Sequence, residues 1–227
     1  MSGSIEVQLE EMHKRVTQHE ILGSALDREL TEKRQRQIVE SASGVLFEKG
    51  YHRTSIRDIA AACGMSMGQL YHYISSKDDI LYLIHVYSQE IWYEHLRDAG
   101  FQSITDPVAR LARALRLSLE FIEGHRQLYL FLYTESKHLE REHLKLVLEL
   151  DDKNVVGFYR HLLADIPGLE LDAARRDTAA NLVAFIVVFL ALRGWNLDTS
   201  RISAQVDFLM EFVFRGLGLQ LPPASER

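Results

Sequence analysis

The stretch from Thr54 to Lys77 constrains the fold of this 227-residue chain most, because it predicts two short helices joined by a tight turn. Thr54 and Ser55 supply hydroxyls that can cap the first helix, and Ser55 with Asp58 has the spacing of a capping box. An apolar stripe at helical spacing follows, formed by Ile56, Ile59, Ala60 and Cys63. Gly64 stands where a left-handed residue ends a helix, and Ser66 can cap a second helix that begins near Met67.

Two interpretations fit this stretch. A helix–turn–helix with glycine in its turn is a DNA-reading unit whose second helix enters the major groove. Leu70 and Ile74 would then face inward. The residues left outward or on the flanks would be Met67, Gly68, Gln69, Tyr71, His72 and Tyr73. The other interpretation is an ordinary pair of core helices, in which Tyr71 and Tyr73 are packing aromatics. Spacing alone does not decide between the two.

A longer set of residues closely resembles the N-terminal domain of the tetracycline-repressor (TetR) family. The set comprises Thr54, Ile56, Arg57, Ile59, Ala60, Gly64, Ser66, Leu70, Tyr71, Tyr73, Lys77 and Leu81. The resemblance runs from about Arg34 to Tyr87, roughly a quarter of the chain. It implies an all-α protein that regulates transcription, with an N-terminal three-helix helix–turn–helix domain and a C-terminal bundle that binds a ligand and dimerises.

The rest of the chain predicts further helices and no strands, for about nine helices in all. The expected domains are an N-terminal extension (1–30), a helix–turn–helix domain (31–80) and a ligand-binding and dimerisation domain (81–227). Predicted helices outside the central stretch are Thr31–Lys49, Lys77–Ala99, Asp106–Gly124, Arg126–Ser136, Arg141–Ala164, Asp172–Trp195 and Ser200–Arg215. The extension is acidic and carries apolar residues near helical spacing, and its function is not readable from the sequence.

The distribution of charge and the length of the apolar runs limit the classes of protein to which this chain can belong. The net charge of the chain is −6. Residues 31–80 carry seven basic and six acidic side chains, whereas the segments before and after them each carry more acidic than basic side chains. Acidic flanks limit non-specific DNA binding, which favours a sequence-specific regulator over a general DNA-coating protein. The longest apolar run, Leu182–Leu192, is shorter than the roughly 20 residues that span a bilayer. No signal-peptide pattern is present, so we expect a soluble cytoplasmic protein without membrane partners.

Roles in DNA reading follow from position in the predicted fold. Hydroxyl, phenol and amine side chains fix register on phosphates without carrying sequence information; these are Thr54, Ser66, Tyr71, Tyr73 and Lys77. Candidates for the base edges are Arg57, Met67, Gly68, Gln69 and His72. Glutamine pairs with adenine and arginine with guanine. Two such units in a homodimer would read an inverted-repeat operator with half-sites on the order of 34 Å or more apart.

The last two predicted helices are too apolar for mostly solvated surfaces, and large exposed apolar patches mark interfaces. We expect each subunit to contribute both helices to a four-helix dimer interface, which the TetR resemblance also implies. Its candidate residues are Phe185, Phe189, Trp195, Val206, Met210 and Val213. The alternative is that both helices are buried within one protomer.

A small-molecule effector is expected in the C-terminal bundle, as the TetR resemblance implies. Candidate pocket walls are Tyr93, Phe121, Tyr129, Tyr133, Phe158 and Tyr159, each of which also fits a plain core position. The stretch Tyr129–Leu163 looks similar to TetR-like regulators of fatty-acid, sterol and aromatic-acid breakdown, which respond to acyl-coenzyme A thioesters. Arg110, Arg113 and Arg116 form a basic rail that could meet the phosphates of an acyl- or aroyl-coenzyme A. An uncharged lipophilic effector, as in regulators of efflux or stress systems, is the alternative.

Enzyme and metal functions lack sequence support. The chain has no HExxH, no glycine-rich phosphate loop and no GxSxG. His138 and His143 are five residues apart, which is a poor spacing for metal ligands on a helix, so no metal or cofactor is expected. The single cysteine, Cys63, excludes an internal disulfide. A helical adaptor that binds another protein is the remaining alternative, and it would show no sequence-selective DNA complex.

Overall fold

A computed structural model describes residues 28–197 and 202–223, with side chains from residue 33 onward. Secondary structure in these ranges is entirely helical, as predicted. The first helices are α1 (Arg28–Lys49), α2 (Ile56–Ala62), α3 (Met67–Leu70), α4 (Lys77–Asp98) and α5 (Pro107–Gly124). The others are α6 (Arg126–Glu135), α7 (Arg141–Asp151), α8 (Gly157–Ala164), α9 (Ala173–Arg193) and α10 (Ile202–Gly216). The predicted N-terminal extension falls almost wholly outside the described residues.

The described residues form two compact units, which we name for their contents. The reading unit comprises residues 28–90 and 130–150, and the bundle unit comprises residues 91–129, 151–197 and 202–223. Helices α4 and α6 each contribute residues to both units. The helix–turn–helix therefore shares a compact unit with residues 130–150, a segment that begins more than 50 residues further along the chain.

The reading unit has a core where α1 packs on α2. Buried apolar side chains of this core include Ile38, Val39, Ala42, Leu46, Ile59, Leu70 and Ile74. One predicted boundary is wrong: α1 begins at Arg28, so Thr31 lies within the helix and does not cap it. The residues Arg28, Glu29 and Leu30 are favourable helix formers, which explains the earlier start.

The bundle unit is built around α5 and α9. Helix α9 packs on α5 and α8, and α10 packs on α5. Helix α5 begins as predicted, because Asp106 Oδ1 accepts the Ala109 N–H at 2.7 Å and Pro107 occupies the first helical position. The fully buried Ser118 hydroxyl accepts the indole N–H of Trp92 at 3.0 Å, which satisfies a polar group in the core.

The predicted helix 141–164 is present with one irregularity. Residues Asp152–Val156 form a π-helical segment that joins α7 to α8. Asn154 within it is buried, and Arg160 pairs with Asp152 on the same segment at 3.1 Å. A π-helical turn inserts an extra residue and re-aims the side chains that follow it, which brings Phe158 and Tyr159 of α8 into the core of the bundle unit.

Candidate nucleic-acid interface

Helix α2 begins at the predicted capping box. Ser55 Oγ accepts the Asp58 N–H at 3.2 Å, and Asp58 Oδ2 accepts the Ser55 N–H at 2.8 Å. Lys49 Nζ donates to Asp58 Oδ1 at 2.8 Å, and this bond, with those from Ser55, holds the pKa of Asp58 below its usual range. Gly64 follows α2 with φ of +63°, as the turn requires. The first half of the motif is therefore fixed by local hydrogen bonds.

Helix α3 begins at a second capping box, of which only the Ser66 half was predicted. Ser66 Oγ accepts the Gln69 N–H at 3.2 Å, as expected for the cap. In addition, Gln69 Oε1 accepts the Ser66 N–H at 2.8 Å. Because a bidentate bond to adenine uses both the oxygen and the nitrogen of a glutamine amide, Gln69 would have to leave this cap to make one. Leu70 and Ile74 are buried, as predicted.

Most of the predicted DNA-contacting side chains lie on one exposed stretch of the reading unit. Exposed residues among them are Arg57, Ser66, Gly68, Gln69, Tyr71 and His72. Met67 and Tyr73 are half-buried on its flanks, and the Tyr71 ring is 51% exposed. A set of aromatic and polar side chains with this exposure, next to a helix start, suits contact with phosphates and base edges.

Thr54 does not fit its predicted role. Its side chain is 1% exposed, and Oγ1 donates to the Gly50 carbonyl at 2.8 Å. A hydroxyl that is buried and already bonded cannot reach a phosphate. Thr54 instead closes the link between α1 and α2, and Ser55 caps α2.

Lys77, the predicted amine anchor, is held by the backbone of that same link. Its Nζ donates to the Tyr51 carbonyl at 2.8 Å and the Thr54 carbonyl at 3.1 Å, and it lies 4.1 Å from the centre of the Tyr51 ring. Burial lowers the pKa of Lys77 despite the nearby carboxylates of Asp78 and Glu135. One of its three N–H donors is left for a phosphate.

The predicted effector residues divide between the two units. Tyr93, Phe121, Phe158 and Tyr159 are buried in the bundle unit, and Tyr129 packs against the same core. The Tyr159 hydroxyl is buried beside Ser118, and burial raises its pKa. Tyr133 departs from this group, because it belongs to the reading unit and is 48% exposed.

The predicted basic rail is already paired at both ends. Arg110 donates to the Ile104 carbonyl at 2.8 Å and lies 3.5 Å from Asp165. Arg116 binds Asp207 and, at 3.3 Å, Glu120. Arg113, between them, is half-buried. An anionic ligand at this rail would therefore compete with carboxylates of the protein.

Only some of the predicted dimer-interface residues lie on the surface of the bundle unit. Phe185 and Trp195 are 53% and 74% exposed, and Phe189 is half-buried. The interface prediction is wrong for Val206, Met210 and Val213, which face the core of their own protomer. Helix α10 is apolar on two faces, so periodicity did not reveal which face points inward.

Three further apolar residues of α9 and α10 are exposed but were not predicted from the sequence. Leu182, Phe208 and Phe212 are 57%, 67% and 60% exposed. Phe208 and Phe212 are four residues apart on α10, which places them on one face of the helix. That spacing was the signal available in the sequence. We call Leu182, Phe185, Phe208 and Phe212 the apolar face.

One helix of the described part of the chain, Ala173–Asn196, is long and apolar enough to cross a membrane by length and composition, and 44% of its most apolar window is buried inside the protein. That burial arises from packing on α5 and α8. A core helix of a water-soluble protein passes the same test.

Comparison with known proteins points to one family. The profile described as "Bacterial regulatory proteins, tetR family" matches residues 38–82, which cover α2, α3 and the parts of α1 and α4 beside them. The transcriptional regulator HbdR of Aromatoleum sp. (strain CIB) is 31% identical over 126 residues, 53% of this chain and 52% of HbdR. The repressor KstR2 of Mycobacterium tuberculosis (strain ATCC 25618 / H37Rv) is 28% identical over 106 residues, 47% of this chain and 52% of KstR2. Each match thus spans about half of the relative.

The fold matches solved structures over a larger share of the chain. The crystal structure of AibR in complex with isovaleryl coenzyme A and operator DNA superposes with a TM-score of 0.63, covering 79% of this chain and 97% of AibR at 24% identity. At that identity the likeness establishes the fold alone. These similar proteins are regulators of transcription and not enzymes, in agreement with the prediction for this chain.

Proposed function

We propose that the chain is a member of the TetR family of bacterial regulatory proteins and acts as a sequence-specific DNA-binding repressor, released from its operator by a small-molecule effector. The observation that carries the proposal is the helix–turn–helix. Two capping boxes start its helices, Gly64 turns between them, and buried Leu70 and Ile74 leave the polar side of α3 exposed. This is the arrangement that presents the start of a helix to a major groove.

The solvent exposure of each side chain indicates whether it contacts base edges or phosphates. Arg57 and His72 are exposed and carry donors that suit guanine or phosphate, and Met67 can contact a thymine methyl group. The phosphates are contacted by the side chains of Ser66, Tyr71 and Tyr73 and by the remaining N–H of Lys77. Gln69 acts first as a cap, so base discrimination rests more on Arg57, Met67 and His72 than on the amide.

A homodimer that reads an inverted repeat is the proposed assembly. The apolar face supports it, since apolar side chains of this size that are half or more exposed in a protomer are typical of a surface that a second subunit covers. The same face accounts for the apolar character of α9 without a membrane. As expected of a regulator that acts on DNA, the proposed location is the cytoplasm.

For the effector, we propose an acyl- or aroyl-coenzyme A of a catabolic pathway. The buried aromatic side chains of the bundle unit suit an acyl or aroyl group, and a structural neighbour, AibR, was solved with isovaleryl coenzyme A. The nucleotide of such a ligand would displace Asp207 from Arg116 or Asp165 from Arg110.

That pairing of Arg110 and Arg116 favours a second candidate, an uncharged lipophilic effector of an efflux or stress system. Such a compound needs the aromatic side chains but no cationic partner, so the carboxylates could stay in place. The buried hydroxyl of Tyr159 would offer it one hydrogen bond.

The DNA-binding half of the proposal is tested with full-length protein and labelled DNA from upstream of its own gene, using unrelated DNA as competitor. Arg57→Lys keeps the charge but loses the planar fork, whereas Arg57→Ala loses both. If Arg57 reads a base, both variants lose discrimination at one operator position by about 1–3 kcal/mol. If it contacts only phosphate, Arg57→Lys retains full specificity. Absence of a sequence-selective complex in the unmodified protein would defeat the proposal and favour an adaptor.

The effector half is tested by adding thioesters, the matching free acids and coenzyme A alone to the operator complex. Release by thioesters only supports the coenzyme A class, and Arg116→Gln should then weaken the response more than the exposed control Arg175→Gln. Release by neutral lipophilic compounds, with no response to any thioester, would support the second candidate.

A further inference from the structure

Three side chains that can bind a metal ion converge in the reading unit. Asp78 lies in the first turn of α4, Glu140 immediately precedes α7, and His143 lies in the first turn of α7. One donor atom from each lies within 4.8 Å of the donor atoms of the other two. Glu140 and His143 have Glu-x-x-His spacing, which presents a carboxylate and an imidazole to one metal in carboxylate-rich helical proteins.

The protein already orients the carboxylate of Asp78. The Tyr51 phenol donates to Asp78 Oδ1, and the Glu140 backbone N–H donates to Asp78 Oδ2 at 2.7 Å. Each carboxylate oxygen keeps a second lone pair for another ligand. The Asp78 carboxylate is therefore held in place before any ion arrives.

The imidazole has an outer partner as well. His143 Nε2 lies 2.7 Å from Oδ1 of Asp79, which is buried and accepts the backbone N–H groups of Ser75 and Ser76 at 2.5 and 2.9 Å. Histidines that bind a metal through one ring nitrogen usually donate the other N–H to a carboxylate. In such a site Asp79 would hold that outer position, which leaves Nδ1 of His143 to bind the ion.

The charge around the cluster is negative. The carboxylates of Asp78, Asp79 and Glu140 all lie near the Tyr51 phenol. The nearby ammonium of Lys77 is directed at two backbone carbonyls. A divalent cation at the cluster would offset the carboxylate charges.

We propose that Asp78, Glu140 and His143 form a binding site for a divalent transition-metal ion, Zn²⁺ or a close chemical relative, that ties the start of α4 to the start of α7. One imidazole and two carboxylates suit such borderline ions, whereas Mg²⁺ and Ca²⁺ prefer oxygen ligands alone. Water would complete the coordination. This site does not depend on the proposed effector, since its ligands all belong to the reading unit.

The chain offers a matched pair of variants to test the site. Glu140→Gln removes a proposed ligand but keeps the backbone N–H that Asp78 accepts. Glu142→Gln makes the same chemical change at an exposed position of the same helical turn, outside the cluster. Tag-free, chelator-treated full-length protein is titrated with Co²⁺, followed by its visible absorption, and then with Zn²⁺ in competition.

We expect one ion per chain, an absorption band typical of nitrogen ligation, displacement by Zn²⁺, and no displacement by Mg²⁺. Glu140→Gln should lower the affinity at least about tenfold, and Glu142→Gln should leave it unchanged. His143→Gln should remove the nitrogen-ligated band and gives an independent test if Glu140→Gln alters the fold. No saturable binding, or equal affinity in Glu140→Gln and the unmodified protein, would overturn the proposal.

Discussion

Ser66 has two separable roles at the start of α3, as a helix cap and as a proposed phosphate contact. Its Oγ accepts the Gln69 N–H, and its own N–H is bound by Gln69 Oε1. Ser66→Ala should lower the free energy of unfolding by about 1 kcal/mol, because the cap is lost. Ser66→Asp should keep that stability but weaken DNA binding, since a carboxylate would face the phosphates. Chemical denaturation and DNA titration of both variants measure this. Equal DNA affinity of Ser66→Asp and the unmodified protein would show that Ser66 is only a cap.

His85 introduces a pH dependence into the stability of the reading unit. Burial lowers its pKa to about 4, and its Nε2 lies 2.8 Å from Ser136 Oγ. The Ser136 hydroxyl donates to the Leu132 carbonyl, so its oxygen accepts the N–H of His85. The unfolded chain therefore binds a proton near pH 6.5 that the folded chain binds only near pH 4.

Stability should accordingly fall as the pH is lowered from about 6.5 to 4, by at most about 1.4 kcal/mol per pH unit from this group. Denaturation of His85→Gln should show a smaller loss over the same interval, because glutamine does not titrate and can still donate to Ser136. Parallel curves for the two proteins would mean that His85 is not the source of the acid sensitivity.

At the scale of elements, the sequence predicts what is decided locally and fails where a distant contact decides. The helix starts at Ser55, Ser66 and Asp106 follow from caps that lie within three residues of the groups they bind. By contrast, the Asp78–Glu140 contact joins residues that are 62 apart, so no spacing rule could have revealed it.

Helix α10 illustrates the same limit through its two apolar faces. Met210 is fully buried, whereas Phe208 is 67% exposed. Met210→Ala should destabilise the protomer by about 2–5 kcal/mol through a core cavity. Phe208→Glu should leave the helix content unchanged but separate the dimer, since its side chain touches the proposed partner surface. Light scattering and thermal unfolding distinguish the two. A Phe208→Glu protein that remains dimeric would remove the apolar face of α10 from the interface.

At the scale of the whole molecule, a symmetric dimer must match the spacing of its two half-sites. DNA turns once in about 10.5 base pairs, so inserting about five base pairs between the half-sites moves one of them to the opposite side of the duplex. We expect that insertion to reduce the affinity of the dimer to that for a single half-site, as measured by titration at fixed salt. The monomeric Phe208→Glu variant should bind weakly and be indifferent to the insertion, because it engages each half-site alone. Equal binding of the unmodified protein to both operators would mean that two independent reading units, and not a fixed dimer, recognise the DNA.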